Sequence, residues 1–281
     1  MTSCLFASDL HGRTGRYRKL FDRLASEPPA VVLLGGDLLP FGDPRFLERT
    51  LRAECRRLRR CLAERYPRWL IILGNDDPRT QEAGLVEGEK EGLWDYLHGR
   101  CLQVDGHCFC GYACVPPTPF LLKDWERYDV SRHLDVGSVS PEEGWRSVPV
   151  DAEEVGAATI RADLERLVED AAGPGGLMDA VLLFHAPPYG GLLDLADLGS
   201  RAVDHAPLDS HVGSIALRRF IEERQPRITL HGHVHESSRL SGSWRERIGG
   251  SHCFSAAWDG PELAVVCFTL EQPGNAERLL L

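Results

Sequence analysis

No stretch of this chain approaches the ~20 consecutive apolar residues that a membrane-crossing helix needs. Residues 1–10 meet Asp9 before an apolar signal core of ~7 to 15 residues could form, so a cytoplasmic location is expected. Positive charge is scarce: 32 Lys and Arg stand against 42 Asp and Glu, for a formal net charge of -10. Only the helix-like run at residues 52–60 is rich in arginine, and it reads as a solvated helix exterior. Association with long nucleic acids, which needs a positive field, is disfavoured. The nine cysteines are odd in number and contain no C-x-x-C pair. A disulfide scaffold is therefore not indicated, and most thiols are expected to be reduced. Cys108, Cys110 and Cys114 lack zinc spacing and read as strand-core positions. Low-complexity segments and internal repeats are also absent.

What remains is an ordinary globular composition, 43% hydrophobic and 26% charged over 281 residues, enough for a sizeable core. At ~150 residues per domain the length suggests about two units, although α/β folds of this size often form one. Apolar runs at residues 3–8, 30–34, 69–73, 180–184 and 227–230 read as strands. Between the first three lie helical patterns, one carrying Tyr17, Leu20, Phe21 and Leu24, the other spanning residues 46–65 with Leu47, Leu51, Leu58 and Leu62 as its apolar stripe. Such alternation predicts βαβ units and a mainly parallel sheet, with ligands gathering at the carboxyl ends of the strands.

Residues 101–104 and 108–115 read as strands, and residues 116–149 as an irregular loop or lid in which Trp125 and Trp145 either stack on a base or anchor the loop. A helix over residues 151–172 then leads to a candidate linker at Gly173-Pro174-Gly175-Gly176. Residues 213–224 read as a further helix, and the tail beyond residue 235 as strand-rich.

Each predicted strand end carries polar residues: Asp9-x-His11, Gly36-Asp37, Gly74-Asn75-Asp76-Asp77, His185 and Gly232-His233-x-His235. Every one is a hard or borderline ligand, and no thiolate is among them. That mixture suits Mn, Fe, Co, Ni or Zn in a reactive site better than a structural zinc site. Each motif alone is weak; five in succession, each after a strand, are strong jointly.

In order and wording these motifs resemble the calcineurin-like metallophosphoesterase superfamily, whose pattern runs D-x-H, G-D, G-N-H-[DE], H, G-H-x-H. The resemblance spans Asp9 to His235. It implies an α/β fold, a four-layer sandwich of two mixed β-sheets flanked by helices, as a single domain over residues 1–281 with an irregular insertion or lid at about 116–150. Carried over by motif, Asp9, His11 and His235 would hold one divalent metal, Asn75, His185 and His233 a second, and Asp37 would bridge them. The implied activity is hydrolysis of a small phosphate ester, a phosphodiester before a monoester, by a metal-bridging hydroxide. A catalytically silent scaffold of the same fold and a phosphomonoesterase are the alternatives.

Two cations held ~3.5 to 4 Å apart by a shared carboxylate can clamp an in-line displacement at phosphorus. By formal count, +4 from the metals less two carboxylates and a hydroxide leaves about +1, which suits an anionic ester. The chain departs from the family at Asp76, where the family has histidine. Asp76 is either an acid of raised pKa or a group that orders water or hydrogen-bonds a ligand histidine. Arg13 either meets a phosphate oxygen or opens the next helix in solvent. His205 and His211 either face substrate or lie exposed in their loop, and His231 reads as a strand residue or a support to the ligands.

Overall fold

The computed structural model describes residues 1–170, 177–199, 202–203 and 206–281. The candidate linker at 173–176 and His205 lie outside them. In chain order the elements are β1 (Ser3–Ala7), α1 (Thr14–Ser26), β2 (Val31–Gly35), α2 (Ala53–Leu62), β3 (Arg68–Ile72), α3 (Glu82–Lys90), β4 (Asp95–Tyr96), β5 (Arg100–Val104) and β6 (His107–Tyr112). After a long irregular segment come α4 (Ala152–Ala157), α5 (Ile160–Asp170), β7 (Val181–Phe184), the short pair β8 (Ala202–Val203) and β9 (Ala206–Pro207), α6 (Ile215–Arg224) and β10 (Ile228–His231). The chain ends with α7 (Ser237–Ser241), β11 (Arg245–Ile248), β12 (Ser251–Ser255), β13 (Ala264–Thr269) and β14 (Glu277–Leu280).

Strands β1, β2 and β7 are apolar along nearly their whole length because they are covered on both faces, the pattern of a parallel sheet under helices. Two six-stranded sheets result, ordered β14-β13-β1-β2-β3-β4 and β11-β12-β10-β7-β6-β5. The central strands of each are parallel, and antiparallel strands occur only towards the edges, so both sheets are mixed. The sheets face each other through β2 against β7 and β3 against β6, with a large core between and around them and a small separate cluster at Leu193, Ile221, Ile248 and Cys253. Helices cover the outer faces: Phe21 of α1 stacks on Trp69 of β3, ring centroids 5.7 Å apart, and Phe220 of α6 meets Phe184 of β7 at 6.3 Å. This is the α/β sandwich of two mixed sheets flanked by helices that the motifs imply.

Helical structure begins as a π turn at Leu47–Arg52 and continues into α2, burying Leu47, Leu51, Leu58 and Leu62. Its basic exterior is paired rather than merely solvated. Arg52 and Arg56 both reach Glu48 and Glu91, tying α2 to α3.

One expectation is corrected and another gains an exception. The helix predicted over 151–172 is broken in two at Ala158, whose ψ of 132° is extended. Thr159 pairs with Tyr128, and its hydroxyl accepts from the Ala162 N–H, so a contact with the irregular segment outweighs helical continuity. Most thiols are free, as expected, and the exceptions are Cys101 and Cys110, which form a disulfide. They stand directly opposite each other in the antiparallel β5–β6 pair, a proximity that their spacing of nine residues does not reveal. No helix among the described residues is long and apolar enough to cross a membrane.

Candidate metal centre

Parallel registers bring the strand ends level. Ala7 stands beside Leu34 and Leu34 beside Ile71, while Tyr112 stands beside Phe184. The loops that follow then zip together through the main chain: Asp9 N–H donates to Gly36 O (3.0 Å), His11 N–H to Asp37 O (2.8 Å) and Gly232 N–H to His185 O (2.9 Å). Asp9, His11, Asp37 and His233 all have positive φ, at 56°, 47°, 51° and 71°. A left-handed backbone is unfavourable for such residues, so four of them in one cluster mark a site where function outweighs local preference. Two glycines permit the crowding. A Cβ on Gly74 would lie 2.3 Å from Asp37 Oδ1, and one on Gly232 would lie 2.7 Å from Asp9 Oδ2.

Two donor groups form. One contains Asp9, His11, Asp37 and His235, the other Asp37, His185 and His233, and in each the candidate ligand atoms lie within 4.8 Å of one another. His11 Nε2 and His235 Nε2 face each other at 3.0 Å, and His235 Nε2 is 3.3 Å from Asp9 Oδ1. The His185 Nδ1–H donates to the Gly35 carbonyl at 2.8 Å, which turns Nε2 toward Asp37 Oδ2 (3.3 Å) and Asn75 Oδ1 (3.1 Å). Asp9 and His185 are fully buried and Asp37 nearly so. Among the described residues no Lys or Arg makes a salt bridge with either carboxylate.

Burial opposes the ionisation of Asp9 and Asp37, yet the surrounding imidazoles outweigh it and hold both below the usual carboxylate range, with the His235 hydrogen bond acting on Asp9 and His185 on Asp37. Burial likewise opposes protonation of His185, but Asp37 raises it to about 10. His233 is pushed down to about 3 by burial and by His185. Buried anions and imidazole lone pairs converging without a fixed cation fit a divalent metal, whose binding would displace the imidazole protons.

The model of one protein family, Calcineurin-like phosphoesterase, matches residues 2–237. The chain belongs to this family. A comparison with curated proteins finds none that matches the sequence. Among solved structures, the TT1561 protein of Thermus thermophilus is similar at 15% identity and a TM-score of 0.58, with 99% of this chain and 98% of that chain covered. A dimetal phosphatase from Danio rerio matches at 12% identity and 0.47, covering 94% and 91%. At this identity the first likeness shows a shared fold.

Around the centre of this calcineurin-like phosphoesterase, Asp76 is half exposed and accepts from Asn75 Nδ2 at 3.0 Å, with His11 Nδ1 3.5 Å away. Its carboxyl lies above the usual range because of partial burial and the neighbouring Asp37. Asp77 is fully buried and accepts from the N–H groups of Leu38, Leu39 and Gly74, clamping two ligand loops together. Arg13 is exposed and opens α1, its carbonyl accepting from Arg16 and Tyr17. His231 is buried, donating from Nδ1 to Ala186 O and accepting at Nε2 from Thr229, so it serves its strand and neighbouring loop. His211 pairs with the buried Asp194 at 2.8 Å.

Sequence reasoning missed Arg16, which is buried beneath the site and donates to Asp9 O (2.6 Å) and Gly260 O (2.7 Å). A lone arginine among the apolar positions of α1 was the only available signal.

Proposed function

We propose that this calcineurin-like phosphoesterase hydrolyses small phosphodiesters with the help of two divalent cations of the Mn, Fe, Co, Ni or Zn class. The observation that carries the reading is the sharing of Asp37 by both donor groups. In this reading Asp9, His11 and His235 would hold one cation and Asn75, His185 and His233 the other, with Asp37 available to both. The cations supply Lewis acidity and bring the ionisation of water near neutral pH.

The chain's own residues set the rest. Gly35, through its carbonyl, holds the His185 ring so that Nε2 faces inward. Asp76 takes the Asn75 amide nitrogen, leaving Asn75 Oδ1 turned toward the His185 side of the site. An aspartate at this rim lacks the positive charge that the family's histidine would offer, whatever its protonation. It disfavours the second negative charge of a monoester, and this supports the diester preference.

The test is elemental analysis of protein purified without chelator, followed by hydrolysis of bis(p-nitrophenyl) phosphate in Mn²⁺. Two divalent ions per chain with turnover is the expected result. No metal together with no turnover in Mn²⁺, Co²⁺, Ni²⁺ or Zn²⁺ would leave a silent scaffold of the same fold.

A further inference from the structure

A second cluster of metal-ligating side chains lies away from the carboxylate and imidazole centre, on the β5–β6 hairpin. Asp105 and Gly106 form its turn, both left-handed with φ of 50° and 82°, as a tight two-residue turn requires. That turn sets a register in which Cys101 lies directly across from Cys110. Cys108, two residues before Cys110, falls on the same face of the strand. Its Sγ is 3.7 Å from that of Cys110, and the three sulfur atoms all lie within 4.8 Å of one another. Cys110 is buried, while Cys101 and Cys108 are partly exposed, so the trio opens toward solvent on one side.

We propose that the reduced hairpin binds one soft, thiophilic cation of the Cu⁺ or Cd²⁺ kind through Cys101, Cys108 and Cys110, the Cys101–Cys110 disulfide being the closed form of the same site. An all-sulfur donor set selects such ions, whereas the oxygen and nitrogen donors of the first centre favour harder ones. Opening takes two electrons and two protons from a dithiol, which is itself oxidised to a disulfide while Cys101 and Cys110 become thiols. Loading then replaces three S–H bonds with three metal–sulfur bonds and releases three protons to solvent. The register that allows the disulfide also preorganises the three ligands.

The test uses the whole chain, reduced by a dithiol that is then removed without air, and titrated with Cd²⁺ while the ultraviolet sulfur-to-cadmium charge-transfer band is followed. The first centre contains no sulfur and contributes nothing to that band. Saturation at one Cd²⁺ per chain is expected after reduction, with no such band in the disulfide form. Cys108→Ser should weaken the affinity by roughly tenfold or more, and Cys61→Ser, at an exposed cysteine elsewhere, should leave it unchanged. The proposal is overturned if reduced wild type gives no saturable band, if the disulfide form binds equally well, or if C108S titrates like wild type. The comparison of oxidised with reduced wild type needs no substitution and stands even if a variant folds poorly.

Discussion

The indole Nε1–H of Trp125 donates to the main-chain oxygen of Asp77 across 2.8 Å, joining the irregular segment after β6 to the loop that carries Asn75 and Asp76. Trp125 is 1% exposed, packs edge-on against His98 and lies under the Arg79 guanidinium. Its ring is an anchor, with no face free for a base. Trp145, by contrast, is 45% exposed.

Trp125→Phe keeps most of the ring and removes the donor. Stability should fall by about 1 kcal/mol, the usual scale of one hydrogen bond, and limited proteolysis within residues 116–150 should accelerate together with a drop in kcat. Cleavage rates and turnover matching wild type would show that the bond does not hold the segment.

Asp37→Asn should be more damaging than Asn75→Asp, because Asp37 belongs to both donor groups while Asn75 lies beside one. We expect Asp37→Asn to lower the content of both metals and to reduce kcat/KM by ~100-fold or more, with a smaller loss for Asn75→Asp. Metal analysis alongside kinetics checks this, and wild-type values for Asp37→Asn would place the centre elsewhere.

Asp76→His should shift substrate choice. The imidazole relieves repulsion of a dianion and adds a proton donor, so the gain should be larger for monoesters and poor leaving groups. The measurement is kcat/KM for phenyl and p-nitrophenyl mono- and diesters in both proteins at matched metal content. A uniform loss across the four substrates would confine Asp76 to orienting Asn75.

The pH dependence of stability should follow His98 on the acid side. Its Nδ1 accepts from the Ala113 N–H at 3.0 Å, which requires a neutral ring, and burial followed by the charges of Arg79 and Arg127 lowers its pKa from 6.5 to about 3. The unfolded chain takes up this proton near 6.5, whereas the folded one resists until about 3. Stability from this group is therefore present above the higher value and lost as pH falls toward the lower one. His98→Gln retains an acceptor that does not titrate. Urea midpoints between about pH 7 and pH 5 should decline less steeply in this variant than in wild type, and parallel declines would assign the slope to other groups.

Much of the architecture was legible because its signals are local. The apolar run at residues 30–34 read as a strand and became β2 at Val31–Gly35, and the stripe of Tyr17, Leu20, Phe21 and Leu24 read as one face of a helix and is the buried face of α1. The break at Ala158 was hidden, since nothing near it in sequence records that Tyr128 will pair with Thr159. Arg16 was hidden for the same reason, its acceptors being supplied by Asp9 and by Gly260, 244 residues further along the chain.

By itself the sequence determined which donor atoms exist and that each follows a strand, because residue type and apolar periodicity are properties of short segments. It also determined the family, whose motifs are short strings in a set order. The motif resemblance already assigned Asp37 to both metals, whereas tertiary structure alone decided that Asp76 takes the Asn75 amide and that Cys101 meets Cys110 with Cys108 beside them. These relations depend on strand register and on the packing of one sheet against the other. Both are set by burying the whole core at once, and no single segment contains that information.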